Sequence, residues 1–376
     1  MKRHFSRRNR ASSRRGQKDR QTLISYGVGA LVVLAAILVL LAQTKEQKEQ
    51  PQEPGFTPEQ TAASIFVPQS PSPTPAPTPT PRRLFPQTEQ EPDYSFIWFT
   101  DTQHYSKNYP ETFYAMTEWI KDNIKTYNIK YVFFTGDFIS TYNDEAQWAV
   151  ADKAVKTLDG EIDYFAIAGN HDVHTSDPNF ATYLDYFGKA RFKKNKNVVN
   201  WLADGVGRAD AIEIGGTKYL FIGFGYSAEA KGIPWMNEQL KKYSDHNAIL
   251  LLHDYMTTDG LLSSTGKKVY EQVVVPNPNV FMVLCGHRYN CILLTTEIDD
   301  VGDKMSYRPV YNIMMNYQSF ENGGDGYLTL IQVYQNDGII TMDTYSPTLN
   351  QWYRVDPARS INKEHLVLPV SIFQND

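Results

Sequence analysis

Short apolar segments that alternate with amphipathic segments constrain the fold of residues 93–376 more than any other feature. Strands are predicted at Tyr94–Phe99, Tyr131–Thr135, Tyr164–Ala168, Tyr219–Gly223, Ala248–Leu252 and Val280–Leu284. Helices are predicted at Glu111–Lys125, Asp144–Thr157 and Pro234–Tyr243. This alternation is typical of an α/β domain with buried strands. The later stretches VYNIMMNYQ, GYLTLIQVYQ and GIITMDTYS have no helical segments between them, which predicts antiparallel pairing in the C-terminal part.

Polar residues follow five of these strands. The clusters are TDTQ with Asp101 and Gln103, TGDF with Asp137, AGNHD with Asn170, His171 and Asp172, LLHD with His253, and CGHRYN with His287. Sites in open α/β sheets form outside the carboxyl ends of the strands, so we expect the five clusters to meet at one rim. A single cluster of this kind is more often a turn or a half-buried histidine. The ordered set of five therefore carries the prediction of a site.

The ordered motifs D-x-Q, G-D, G-N-H-D, H and G-H resemble the calcineurin-like metallophosphoesterase superfamily, in particular a bacterial branch whose first motif reads D-T-Q. The resemblance implies a four-layer α-β-β-α sandwich and a pair of cations that clamp a phosphate and activate water. It implies that Asp137 bridges the two cations. The second site is then completed by Asn170, His253 and His287. Mixed nitrogen and oxygen ligands suit Mn, Fe, Zn or Ni, with one or two ions per chain.

The first cation site departs from the family pattern, which has a histidine in D-x-H and another in G-H-x-H. This chain has Gln103 and Tyr289 at those places, so Asp101, Gln103 and Asp137 remain as ligands. A phenol holds its proton at neutral pH and is a poor ligand. We expect weaker occupancy or a harder ion here, and a one-metal enzyme is an alternative. Because side chains at i and i+2 of an extended segment point the same way, Gln103 is predicted to face the rim and His104 to face away.

The resemblance also implies a reaction and further site residues. His171 resembles the histidine that gives a proton to the leaving oxygen, with Asp172 orienting its ring. Arg288, Tyr289 and His174 are candidate contacts to substrate. The implied function is hydrolysis of phosphate mono- or diesters by metal-activated water. Two alternatives remain, namely a nucleotide or lipid-linked pyrophosphatase that uses the same site, and a binding protein whose altered first site is too weak for hydrolysis.

The N-terminal 92 residues indicate a membrane tether. Residues 1–22 are rich in Lys and Arg, and Leu23–Ala42 has no formal charge and is long enough to cross a bilayer as a helix. A cleaved signal peptide is the competing interpretation, but its apolar region is normally shorter. The basic side is expected to be cytoplasmic. Residues 43–92 are a Pro-rich extracytoplasmic linker, so 93–376 is predicted to be an extracytoplasmic domain on a single-pass membrane protein.

Charge and motifs limit the other functions. The net charge of −5 combines a basic N-terminal segment with an acidic remainder, which argues against binding to a nucleic-acid backbone. The expected partners are a phosphate-ester substrate and the membrane. No G-x-S-x-G elbow, P-loop or H-E-x-x-H motif occurs. The two cysteines, Cys285 and Cys291, are either a local bridge or two buried free thiols.

Overall fold

A computed structural model describes residues 91–174, 179–303, 305–352 and 365–372. The predicted basic segment, membrane helix and most of the linker lie outside the described residues. Within these four ranges, no helix combines the length and the apolar character needed to cross a membrane.

The described residues form two seven-stranded sheets. In chain order the strands are β1 (Tyr94–Phe99), β2 (Ile129–Phe134), β3 (Tyr164–Ala166), β4 (Val198–Leu202), β5 (Gly207–Ile214), β6 (Thr217–Phe224), β7 (Asn247–Leu251), β8 (Val280–Cys285), β9 (Cys291–Ile298), β10 (Arg308–Met315), β11 (Leu328–Tyr334), β12 (Ile339–Ser346), β13 (Gln351–Trp352) and β14 (His365–Pro369). The first sheet has the order β13-β12-β11-β1-β2-β3, with β14 also paired to β12. The second sheet has the order β4-β5-β6-β7-β8-β10-β9.

Helices precede or follow most of the parallel strands. They are α1 (Gln103–Asn108), α2 (Pro110–Asn123), α3 (Glu145–Lys156), α4 (Ala181–Phe187), α5 (Glu229–Lys242) and α6 (Ser264–Val269), with a π-helical turn at Tyr270–Val274 and a 3-10 turn at Glu321–Gly323. Asp144 caps α3 by accepting hydrogen bonds from the amides of Ala146 and Gln147. Because a side-chain acceptor satisfies otherwise unpaired amides, this cap explains why the helix begins there.

The central strands are buried on both faces, and β1 shows why its sequence is apolar throughout. Phe96 and Trp98 belong to the core that lies between the two sheets. Ile97 and Phe99 point the other way, into a core shared with α2 and α3. Alternate side chains of a strand face opposite sides, so a strand covered on both sides needs apolar residues at every position.

Three apolar cores give the layer order. One core joins residues of both sheets, as Phe133 and Phe221 illustrate. A second lies between the first sheet and helices α2 to α4. A third joins the second sheet to α5 and α6, through residues such as Met236 and Val269. The prediction of a mixed α/β domain is confirmed, and its two sheets face each other with helices outside.

Two details of the sequence prediction are wrong. The stretch VYNIMMNYQ was expected to pair only in antiparallel fashion, but β10 pairs parallel with β8 as well as antiparallel with β9. Helix α5 starts at Glu229 rather than at Pro234, because the apolar face extends back through Ile233 and packs on the second sheet. Cys285 and Cys291 are buried free thiols, which decides between the two alternatives for them.

Candidate metal centre

The polar clusters meet at the carboxyl ends of the parallel strands of the two facing sheets. Strands β1, β2 and β3 are parallel neighbours in the first sheet, and β6, β7 and β8 are parallel neighbours in the second. Residues beyond the ends of β1 and β8 are in direct contact, since the amide of His287 donates to Oδ2 of Asp101 at 3.0 Å. Residues beyond the ends of β2 and β7 are also in contact, since Oδ2 of Asp137 and Nε2 of His253 lie 3.1 Å apart.

Asp137, His253 and His287 form a compact group of potential metal ligands. One ligand atom from each lies within 4.8 Å of the others. The side-chain oxygen of Asn170 lies 3.1 Å from Nε2 of His253, beside the same group. The structure therefore brings together the four residues that the family resemblance assigns to the second cation site. That they hold a metal remains a prediction.

The hydrogen bonds of His253 test whether a cation fits. Its Nδ1 lies 2.8 Å from the carbonyl oxygen of Thr135, which can only accept, so Nδ1 carries a hydrogen. Its Nε2 faces two further acceptors, Oδ2 of Asp137 and Oδ1 of Asn170. A buried nitrogen among oxygens needs either a proton or a cation there. Burial lowers the pKa of His253, but the charges of Asp137 and Asp101 and the hydrogen bonds to Asp137 and Thr135 together outweigh it and raise this pKa to about 10. A divalent cation would replace that proton.

The neighbouring groups are also suited to a cation. Burial and the charge of His253 lower the pKa of His287 to about 4, so this imidazole is neutral at physiological pH and able to act as a ligand. Burial raises the pKa of Asp101 to about 7, because the ionised carboxylate has lost its water without gaining a full counter-charge. A buried carboxylate in this position is stabilised by positive charge, which a metal supplies.

Three of these residues have backbone angles that L-residues seldom adopt. The φ angles are 55° at Asp101, 55° at Asp137 and 70° at His287. Each costs on the order of 1–3 kcal/mol, and such angles cluster at functional sites. Sharp turns at the ends of strands β1, β2 and β8 thus direct the three side chains into the rim.

Two glycines of the motifs are required for close approach. A Cβ on Gly169 would lie 2.1 Å from Oδ1 of Asp137, and one on Gly286 would lie 2.2 Å from Oδ2 of Asp101. No side chain larger than hydrogen fits at either position without moving a carboxylate. This explains the glycine that precedes the ligand in both G-N-H-D and G-H.

The basis for the predicted orientation of Gln103 is wrong, although its side chain lies in the rim. Helix α1 begins at Gln103, so this segment is not extended. The Gln103 side chain is buried and one of its amide atoms lies 3.4 Å from Oδ2 of Asp137. His104 is half-buried and packs against Gly323, whose added Cβ would lie 2.5 Å from the Cβ of His104.

The role predicted for Asp172 is also wrong. Its carboxylate is fully buried and accepts hydrogen bonds from the amides of Phe138, Ile139 and Gly169, so it fastens two loops together. The ring of His171 is held instead by the carbonyl of Ser140, 3.0 Å from Nδ1. The hydrogen bonds of Asp172 go to backbone amides, and the ring of His171 is oriented by a backbone carbonyl.

The candidate substrate contacts lie at the outer edge of the centre. Arg288 and Tyr289 are exposed, Tyr289 to 58%. His174 is half-buried and its ring packs edge-on against Tyr142 at 5.1 Å. Sequence reasoning missed Tyr226, whose ring centroid lies 5.9 Å from that of His287. It follows β6, a parallel strand after which no polar cluster is predicted.

Further polar residues that the sequence prediction missed hold the ligands in place. The hydroxyl of Thr100 donates to Oδ2 of Asp101 at 2.7 Å. The amide nitrogen of Gln318, which follows β10, donates to Oδ1 of the same carboxylate at 2.9 Å. The parallel pairing of β10 with β8 brings Gln318 to this rim, so a sequence reading that allowed that pairing would have included it.

The motifs and their geometry agree with a family match. A family model described as calcineurin-like phosphoesterase matches residues 94–291, which is more than half of the chain. The chain belongs to the calcineurin-like phosphoesterase family. Members of this family use divalent metals, and this chain presents a possible metal site at Asp137, His253 and His287.

A curated relative supports the family assignment. The chain is 39% identical over 280 residues to a protein of Bacillus subtilis (strain 168) named Uncharacterized protein YvnB. The match covers 74% of this chain and 22% of YvnB, so the chain spans roughly a fifth of the length of that relative. The name of this relative indicates no substrate.

The solved structures that the chain matches include the following three. Purple acid phosphatase PPD1 of yellow lupin (Lupinus luteus) has a TM-score of 0.48 at 11% identity, over 69% of this chain and 52% of that chain. GAP50, the anchor in the inner membrane complex of Plasmodium, has a TM-score of 0.43 at 12% identity, over 72% and 91%. A protein of Thermus thermophilus, TT1561, has a TM-score of 0.39 at 10% identity, over 69% and 97%. At such identities the likeness concerns the fold alone.

Proposed function

We propose that this protein hydrolyses phosphate mono- or diesters with divalent cations held at the rim between its two sheets. The observation that carries the proposal is the convergence of Asp137, His253 and His287, with ligand atoms within 4.8 Å of one another. Bound cations would neutralise the phosphate oxygens and lower the pKa of a water molecule. Mn, Fe, Zn and Ni suit the mixed nitrogen and oxygen ligands of this group.

The contacts of His171 support a role as the general acid. Its backbone amide donates to Oδ1 of Asp137 at 2.8 Å, which fixes the histidine beside the metal ligands. Its Nδ1 must donate to the Ser140 carbonyl, since a carbonyl oxygen cannot donate. In the protonated ring, Nε2 then carries the hydrogen that can pass to the leaving oxygen. The ring is exposed, so a substrate can reach it.

Three other residues orient the ligands or contact the substrate and transfer no proton. Asp172 ties the loop that carries Asp137 to the loop that carries Asn170 through its three backbone hydrogen bonds. Thr100 orients Asp101 in the same way from the first sheet. Arg288 lies directly after His287 and is exposed, so its guanidinium is available to a substrate phosphate.

Metal analysis and hydrolysis by the full-length protein test the proposal. We expect at least one transition metal ion per chain and hydrolysis of an aryl phosphate mono- or diester. In His171→Ala, kcat should fall by roughly 10²–10⁴-fold, the usual size of a general-acid contribution, while metal content stays the same.

His246→Ala is the matched control, because it removes a histidine that lies away from the rim. His246 precedes β7, whereas the proposed ligand His253 follows the same strand at its other end. This variant should retain full activity. Metal-free protein that gains no activity on addition of Mn²⁺ would overturn the proposal. Bound metal without hydrolysis of monoesters, diesters or diphosphates would favour a binding protein.

We further propose that the protein is held at the membrane by Leu23–Ala42 with its phosphoesterase domain outside the cell membrane. The support is the uncharged twenty-residue run that follows a strongly basic segment. Protease added to intact cells should remove the domain and leave the N-terminal segment protected. Protection of the domain until the cells are lysed would contradict this topology.

A further inference from the structure

The side-chain amide of Gln318 lies in an unusual position beside Asp101. Gln318 is 6% exposed and its backbone amide donates to Oδ1 of Asn316 at 3.0 Å, which fixes the turn after β10. The two terminal atoms of its amide contact Oδ1 of Asp101 at 2.9 Å and the amide of Gln103 at 2.8 Å. Gln318 lies beyond the stretch that matches the family model, which ends at residue 291.

The orientation of the Gln103 amide follows from its neighbours. One terminal atom lies 3.0 Å from the carbonyl oxygen of Asp101 and 3.1 Å from that of Asp137, so this atom is the nitrogen, which can donate to both. The other terminal atom is then the oxygen. That oxygen faces Gln318 at 2.8 Å and lies 3.4 Å from Oδ2 of Asp137.

This arrangement leaves one contact between oxygens whichever way Gln318 is turned. If its nitrogen donates to Asp101, its oxygen faces the oxygen of Gln103. If the amide is rotated by half a turn, its nitrogen donates to Gln103 and its oxygen faces Oδ1 of Asp101. A buried contact between two acceptors is unfavourable unless a positive charge lies between or beside them.

The other oxygen of Asp101 is already satisfied. Oδ2 accepts from the hydroxyl of Thr100 at 2.7 Å and from the amide of His287 at 3.0 Å. Oδ1 has one recorded partner, the amide of Gln318, so it retains a lone pair with which to bind a cation. The amide oxygen of Gln103 lies 3.4 Å from Oδ2 of Asp137 beside this cluster.

From these contacts we infer that Gln318 supplies an amide oxygen to the first cation site, in the place of the imidazole that the family has and this chain lacks. The site then consists of Asp101, Gln103, Asp137 and Gln318, all of which bind through oxygen. Such a set favours a hard cation such as Mg²⁺ or Mn²⁺, whereas the histidines of the second site favour Zn²⁺. This inference rests on the proposed function for the second site only in that both use Asp137.

A titration of the full-length protein with Mn²⁺ tests the inference. The protein is first loaded with one Zn²⁺ per chain, and Mn²⁺ binding is then followed by electron paramagnetic resonance. We expect one Mn²⁺ per chain in the wild type. Its affinity should fall at least about tenfold in Gln318→Ala and Gln318→Leu, the lower end of what removal of a supporting group costs.

Two further variants separate ligation from folding. Gln318→Glu keeps the size of the side chain and supplies a charged oxygen, so it should bind Mn²⁺ at least as tightly as the wild type. Gln335→Ala is the control for loss of a glutamine side chain. Gln335 follows β11, and its amide donates to Gly215 and Thr217 rather than to the metal rim, so this variant should leave Mn²⁺ binding unchanged.

The outcomes are distinguishable. Unchanged Mn²⁺ affinity in Gln318→Ala would overturn the inference, as would a wild-type protein that binds Zn²⁺ but no Mn²⁺. In the latter case a proton on Asp101, rather than a cation, separates its Oδ1 from the oxygen of Gln318. If the Zn²⁺ form still hydrolyses phosphate esters, the proposed function is retained. Protein that binds neither ion would overturn both.

Discussion

The two halves of the candidate metal centre present different potential ligands. The second half has two imidazoles, from His253 and His287, together with Asn170. The first half has the carboxylate of Asp101 and two buried carboxamides, from Gln103 and Gln318. The carboxylate of Asp137 is near both, since its Oδ2 lies 3.1 Å from His253 and 3.4 Å from Gln103.

The difference between the halves lies in their side chains rather than in the backbone that carries them. The strand ends, the positive φ angles and the close-packed glycines are present in both halves. What changes is which atoms they present, nitrogen and oxygen on one side and oxygen alone on the other. The two sites are therefore expected to select different metals.

The largest effect is expected from Asp137→Asn, which removes a carboxylate charge that both halves share. Both cations should bind at least about 100-fold more weakly, because the loss of a ligand exceeds the loss of a supporting contact. Hydrolysis should fall with them. Isothermal titration with Zn²⁺ and Mn²⁺ measures the two affinities separately.

Asp245→Asn is the control, since Asp245 forms an exposed pair with Lys218 away from the rim. It should change neither affinity. If Asp137→Asn retained one cation at wild-type affinity, the carboxylate would belong to one site only, and the comparison would lose its shared element.

Much of the fold follows from the sequence because its strands are covered on both faces. An uninterrupted apolar run such as β1 is recognisable without knowledge of its neighbours, and it is observed with the predicted bounds Tyr94–Phe99. The pairing of β10 was not predictable in this way. Its apolar pattern fits a parallel or an antiparallel neighbour equally, and the choice depends on contacts between distant parts of the chain.

The site could be predicted in composition but less well in its local geometry. The strand-end motifs identify residues such as Asp101 and His253, because a polar residue after a buried strand has few places to go. The contacts of Asp172 and Gln318 could not be predicted, since they join loops far apart in sequence. The predicted orientation of the Gln103 side chain assumes an extended segment, but helix α1 begins at this residue.

An intermediate effect is expected from Thr100→Val, which sharpens the contrast between the halves. The substitution keeps the shape of the side chain but removes the 2.7 Å hydrogen bond to Oδ2 of Asp101. Mn²⁺ affinity of the first site should fall by about tenfold, as is common when a group that orients a ligand is lost. Zn²⁺ affinity of the second site, measured in the same protein, serves as the control. Equal losses at the two sites would show that they respond as one unit.

The smallest effect is expected from Tyr289→His, although it restores the residue type of the family pattern. Residue 289 is 58% exposed, and the turn around it is fixed by Asn290, whose side chain donates to the carbonyl of Thr258 at 2.9 Å. An imidazole at 289 should therefore remain outside the cluster that Gln318 occupies. Mn²⁺ affinity should change by no more than about twofold, the scale of an ordinary surface substitution. A tenfold gain would mean that position 289 reaches the first site, and that Gln318 supports Asp101 without being the ligand that replaces the missing imidazole.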